Sequence, residues 1–145
     1  MGLLPYAPAT PPYERKSAMD YRLELVPIPV SDVDRAKTFY AQKVGFNVDH
    51  DVNGSTDHRV SDEMRVVQLT PPGSACSIAF GIGILDTQPG SVQALLLVVS
   101  DIAAARAELI ERGVDVGEVQ DLGGILHAYF SDPDGNGWTL QQLPY

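Results

Sequence analysis

Two apolar runs in this chain stop at a Ser-Asp pair. The first spans Leu23 to Val30 and ends at Ser31-Asp32; the second spans Val92 to Val99 and ends at Ser100-Asp101. The two aspartates lie 69 residues apart. After each pair, apolar positions recur at helical spacing: Ala36, Phe39, Tyr40 and Val44 in one case, Ile102, Ala105, Leu109 and Ile110 in the other. Ser or Asp at the start accepts hydrogen bonds from the first free amides, and Gly45 or Gly113 closes each helix in the left-handed region. Three strand-like segments follow each helix. In the first half they are Phe46–Val52, Met64–Leu69 and Cys76–Ile82; in the second, Val114–Val119, Ile125–Phe130 and Trp138–Leu143. Asn53-Gly54, Pro71-Pro72-Gly73-Ser74, Gly123-Gly124 and the run from Asp132 to Gly137 supply the turns. Strand, helix and three strands, twice over, predict an α+β fold of two βαβββ modules, about 20–88 and about 89–145. Neither module has enough apolar surface to stand alone, so they are expected to pack as one domain over 19–145.

Period-two alternation sorts the strand faces. Val26, Ile28, Ile78, Phe80, Leu95, Leu97, Val99, Ala128, Phe130, Trp138 and Leu140 are bulky and apolar, as a helix-covered face requires. The opposite face is mixed: Leu25, Ser77, Ala79, Ala94, Leu96, His127, Tyr129, Thr139 and Gln141. That mixture suits a pocket wall. Arg65 aligns through the repeat with His127, so it is expected on the mixed face, with Val67 two residues further on.

Charge narrows the partners. Ten Lys and Arg against nineteen Asp and Glu give a formal charge of −9, and no basic cluster is present to neutralise phosphates. Nucleic acid is therefore excluded as a partner. The longest aliphatic run, Leu95 to Val99, is far short of the ~20 residues that a membrane span needs, and no secretory signal pattern is visible. A single cysteine, Cys76, forms no internal disulfide and suits a reducing cytoplasm. Residues 1–18 carry Pro5, Pro8, Pro11 and Pro12 and read as a disordered tail or as an upstream start before Met19; an SH3-type ligand is the sharper but weaker reading.

Few residues carry obvious chemistry. His50, between Asp49 and Asp51, reads as a solvated edge, and His58 as a loop residue. Cys76 and Trp138 read as core. His127, with Tyr129 beside it, can act as general acid or base, can donate a hydrogen bond to a ligand, or can be a wall residue without a chemical role. Arg65 can clamp an anion or be a surface charge. Thr139 and Gln141 add neutral hydrogen-bonding capacity.

The segment from Pro29 to Ala36 running into Phe39-Tyr40 and Gly45-Phe46, with the closing stretch from Phe130 to Gln141, resembles the vicinal oxygen chelate superfamily. This family includes glyoxalases, bleomycin-resistance proteins and extradiol dioxygenases. The resemblance covers about residues 20–145. It implies that the two sheets curl into an open half-barrel cleft with helices on the convex face, and that the protein is a homodimer. Metal-dependent members hold a divalent ion with His, Gln or Glu from four strands. Carried over one by one, those positions fall on Leu25, Ala94, Thr139 and Ser77 or Ala79, none a good ligand. No metal and no cofactor are therefore expected. The reading that follows is a metal-free, bleomycin-resistance-like protein that binds a small, partly apolar molecule. Leu25, Arg65, Val67, Ser77, Ala79, Ala94, Leu96, His127, Tyr129, Thr139 and Gln141 are the candidate wall. A metal-independent lyase, isomerase or hydrolase using His127, Tyr129 and Arg65 is the alternative, and a metal-dependent glyoxalase, epimerase or dioxygenase with atypical ligands is a third.

Overall fold

The computed structural model describes residues 17–53 and 64–145; His58, Gly54 and residues 1–16 of the Pro-rich segment lie outside them. The first module contains β1 (Leu25–Pro27), α1 (Val33–Thr38), β2 (Asn47–Asn53), β3 (Arg65–Thr70) and β4 (Ser77–Ile82). The second contains β5 (Leu95–Val98), α2 (Ile102–Glu111), β6 (Gln120–Leu122), β7 (Ile125–Ser131) and β8 (Gly137–Gln142). Each module makes one open, mixed, four-stranded sheet, in the orders β1-β4-β3-β2 and β5-β8-β7-β6. The first strand of each module lies parallel to its last, and the other pairs are antiparallel.

The caps form as the Ser-Asp pairs predict. Asp32 accepts from the Arg35 amide and Asp101 from the Ala104 amide, both at 3.0 Å. Gly45 and Gly113 take φ of 89° and 90° at the helix ends. Two features depart from the sequence pattern. From Phe39 to Val44 the first helix widens into a π-helical turn, and the amides of Gly45 and Phe46 both bond the Tyr40 carbonyl. The expected strand over 114–119 is absent. Val114 and Val116 turn into the core instead, and Arg106 Nε holds the Gly117 carbonyl at 2.7 Å, so only the Gly117 amide reaches β7. The strand that pairs with β7 starts at Gln120.

One core serves both sheets. Tyr40 lies fully buried between Phe80 of the first sheet and Trp138 of the second, and Phe39 packs against Phe130. A buried phenol needs partners. The Tyr40 hydroxyl donates to Asp132 Oδ2 at 2.7 Å and accepts from Trp138 Nε1 at 2.9 Å. Burial, and then the Asp132 carboxylate, raise the Tyr40 pKa far above the ordinary phenol value. Asp132 also accepts from the amides of Asp134 and Asn136 and from Asn136 Nδ2. Asn136 Nδ2 in turn reaches the Pro29 carbonyl at 2.8 Å, which ties the β7–β8 turn to the end of β1. Because the helix-side faces meet in this core, the opposite faces of both sheets look away from it.

Candidate functional site

Strand register places the candidates on the two outward faces. Leu25 pairs with Ser77, and Pro27 with Ala79, so these residues share the outer face of the first sheet. On the second sheet Leu96 pairs with Thr139, Gln141 with His127, and Tyr129 with Thr139, which puts all five side chains on one face. Thr139, Ser77 and Ala79 are buried among their larger neighbours, whereas Leu96 and Val98 are 51% and 60% exposed. Apolar side chains therefore stand proud of a neutral polar floor.

That floor is largely self-satisfied. On the first sheet Ser77 Oγ lies 2.6 Å from Thr70 Oγ1, which also meets the Asp49 carboxylate. On the second, Gln141 Nε2 donates to His127 Nε2 at 3.1 Å. The other ring nitrogen, Nδ1, is buried with no hydrogen-bond partner among the described residues. The rings of His127 and Tyr129 lie near parallel, at 14° and 6.4 Å between centroids.

Two expected wall residues face the other way. Val67 is 0% exposed, opposite Phe80 in the register, and belongs to the core. Arg65 shares its parity and bonds Asp34 of α1 at 2.7 Å and Asp51 of β2 at 3.0 Å on the helix side. Hydrogen bonds from Arg65 and then from Lys37 hold the Asp51 pKa well below the usual carboxylate range. The guanidinium is committed to structure and is not an anion clamp in the cleft. In the first sheet Val66, opposite Gly81, stands where His127 stands opposite Gln141, and Gln68, opposite Ala79, stands where Tyr129 stands opposite Thr139. Gln68, together with Val98, was missed; only the ladder register identifies Gln68.

Ala94 is exposed, as its position before β5 predicts, but its φ of 62° is unusual for a residue with a Cβ. It borders a cavity of about 340 Å³ near β1 and β5, lined by Ser77 and Leu96 of the outer faces and by Val26, Ile78, Leu97 and Trp138 of the helix-side faces. A second recess of about 320 Å³, between Phe46, Pro72, Leu97 and Leu109, holds none of the sequence candidates, although Val98 borders it. No helix among the described residues is long and apolar enough to cross a membrane.

Comparison with known proteins shows the family and the fold. Residues 22–140 match the family model of the Glyoxalase/Bleomycin resistance protein/Dioxygenase superfamily. Among solved structures, TnmS3, an antibiotic binding protein from Streptomyces sp. CB03234, is 35% identical with a TM-score of 0.74, covering 88% of this chain and 99% of that one. A glyoxalase/bleomycin resistance protein from the same organism is 36% identical with a TM-score of 0.69, over 83% and 100% of the two chains. A superfamily member from Sphaerobacter thermophilus is 30% identical with a TM-score of 0.67, over 85% and 98%. No curated protein sequence matches. With its repeat, its two mixed sheets and these relatives, the chain belongs to the glyoxalase/bleomycin resistance protein/dioxygenase superfamily.

Proposed function

We propose that this protein captures a small, partly apolar molecule in the cytoplasm, without a metal and without chemical turnover. The observation that carries the reading is the outer face of the second sheet. There, exposed Leu96 and Val98 flank the neutral polar row Thr139, Gln141 and His127, beside the apolar cavity at Ala94. Ligand pockets combine that kind of apolar lining with a few polar groups that fix orientation. The residues at the family's ligand positions do not fit a metal. Leu25 and Ala94 offer no donor, and the Ser77 hydroxyl is engaged by Thr70. Among the described residues no group of three or more His, Cys, Asp or Glu is arranged to hold an ion. The antibiotic-binding relative suggests a natural product of that kind as ligand. The outer faces look away from the core of their own chain, so a homodimer in which one copy's first sheet faces the other's second sheet would close each cleft.

A thermal-shift screen of natural-product antibiotics, bleomycin included, with EDTA throughout, tests the capture. A ligand of the native state raises the melting temperature by mass action. The expected result is a rise for the wild type that disappears in Leu96→Trp, whose bulk fills the wall from an exposed position. No rise with any compound, or an undiminished rise in Leu96→Trp, would overturn the reading.

The unpartnered His127 Nδ1 favours a second reading, a metal-independent enzyme using His127 with Tyr129. His127→Ala separates the two. A binder loses a hydrogen bond, ~0.5–1.5 kcal/mol of affinity; an enzyme keeps its binding and loses ~100-fold or more in turnover.

A further inference from the structure

His50 is an exposed residue of the edge strand β2, and period-two alternation would group it with Val48 and Val52. The ladder divides them. Val48 pairs with Leu69 and Asp51 with Val67, both fully buried, whereas His50 pairs with Gln68 and Val52 with Val66. The register shifts between Val48 and His50, so Asp49 is the extra residue of a β-bulge. One extra residue moves every later side chain to the opposite face, and bulges occur where a side chain is re-aimed next to a site. Here the bulge turns His50 from the helix side to the outer face of the first sheet.

Hydrogen bonds on that outer face hold the bulge. The Asp49 carboxylate accepts from Thr70 Oγ1, which lies 2.6 Å from Ser77 Oγ of β4. Across the strands His50 lies beside Gln68, and Gln68 beside Ala79, which is 3% exposed. An imidazole and an amide thus stand next to a small, buried floor. The second sheet presents the same two groups, His127 beside Gln141. Among the described strand residues the one Lys or Arg is Arg65, which bonds Asp34 and Asp51 on the helix side, so neither outer face carries a strand cation.

We infer that His50 and Gln68 are the first sheet's anchors for the captured molecule, and that this molecule carries carbonyl or hydroxyl oxygens and no acidic group. The inference rests on the capture proposed above and adds a second wall to it. Imidazole and amide each offer a donor and an acceptor, so they serve a carbonyl and a hydroxyl alike. An anion would meet the Asp49 carboxylate and find no strand cation to offset its lost hydration.

Calorimetric titration tests the anchors, with the compound that gives the largest shift in the antibiotic screen as probe. His50→Ala and Gln68→Ala are each expected to bind it about three- to tenfold more weakly, the loss of one hydrogen bond, with the melting temperature of the free protein unchanged. His50→Gln keeps a donor and an acceptor and recovers most of the affinity. Val48→Ala, on the other face of the same strand, binds as the wild type does. Penicillin G and fusidic acid, anionic members of the screen, give no shift. A wild type that binds no compound overturns the capture and the anchors together. A probe held equally by wild type, His50→Ala and Gln68→Ala overturns the anchors alone, as does a loss in Val48→Ala equal to that in His50→Ala. A shift with penicillin G or fusidic acid overturns the ligand class.

Discussion

Tyr40 ties the two halves of the molecule together through one hydroxyl. It donates to Asp132 and accepts from Trp138, both from the second module, while its ring packs on Phe46 and Phe80 of the first. The folded state resists ionisation of this phenol because burial penalises the anion and Asp132 repels it. A folded pKa raised above the unfolded value gives stability that is present below pH ~10 and is lost as pH rises above it. Tyr40→Phe is expected to remove that alkaline loss. At pH 7 it should cost ~1–3 kcal/mol, because Trp138 Nε1 loses its buried acceptor. Urea midpoints at pH 7 and pH 10.5 check both effects. At this scale much of the outer face was legible: alternation alone placed Leu96, His127, Tyr129, Thr139 and Gln141 together. Arg65 and Val67 were placed through the repeat instead, and that alignment is one residue out: Val66, opposite Gly81, takes the position that His127 takes opposite Gln141. Arg65 also takes a helix-side position, where its long side chain reaches outward to Asp34 and Asp51.

The elements follow their local signals where a cap or a turn residue dictates them. Gly123 and Gly124, both at positive φ, close the β6–β7 hairpin between paired Leu122 and Ile125. Gly81 has a different reason to be glycine. It sits opposite Val66 in the β3–β4 ladder, and a Cβ there would overlap the Arg65 carbonyl. Backbone cannot yield as a side-chain tip can. Gly81→Ala should therefore destabilise the fold by ~1–3 kcal/mol, the range for overpacking, read as a lower urea midpoint at unchanged slope. The π-helical turn at Phe39–Val44 and the missing strand at 114–119 were not legible. Both arise from tertiary demands: the first helix must bury Tyr40 between two sheets, and Val114 and Val116 satisfy the core instead of a ladder.

At the scale of the whole molecule, the repeat of Ser-Asp pairs specified two modules, and the shared aromatic core joins them. Which faces would meet in the proposed dimer is not written in any local pattern, because it depends on where each sheet leaves its apolar side chains uncovered. The proposed function is capture of a small molecule without a metal. Native mass spectrometry of protein purified without chelator tests it most directly, since one spectrum reports protomers, ions and organic ligand. The expected spectrum is that of a dimer that carries no transition metal and takes up a hit from the antibiotic screen, releasing it at unchanged mass. One Zn, Ni, Mn or Fe retained per chain, or a ligand released as a product of different mass, would contradict it.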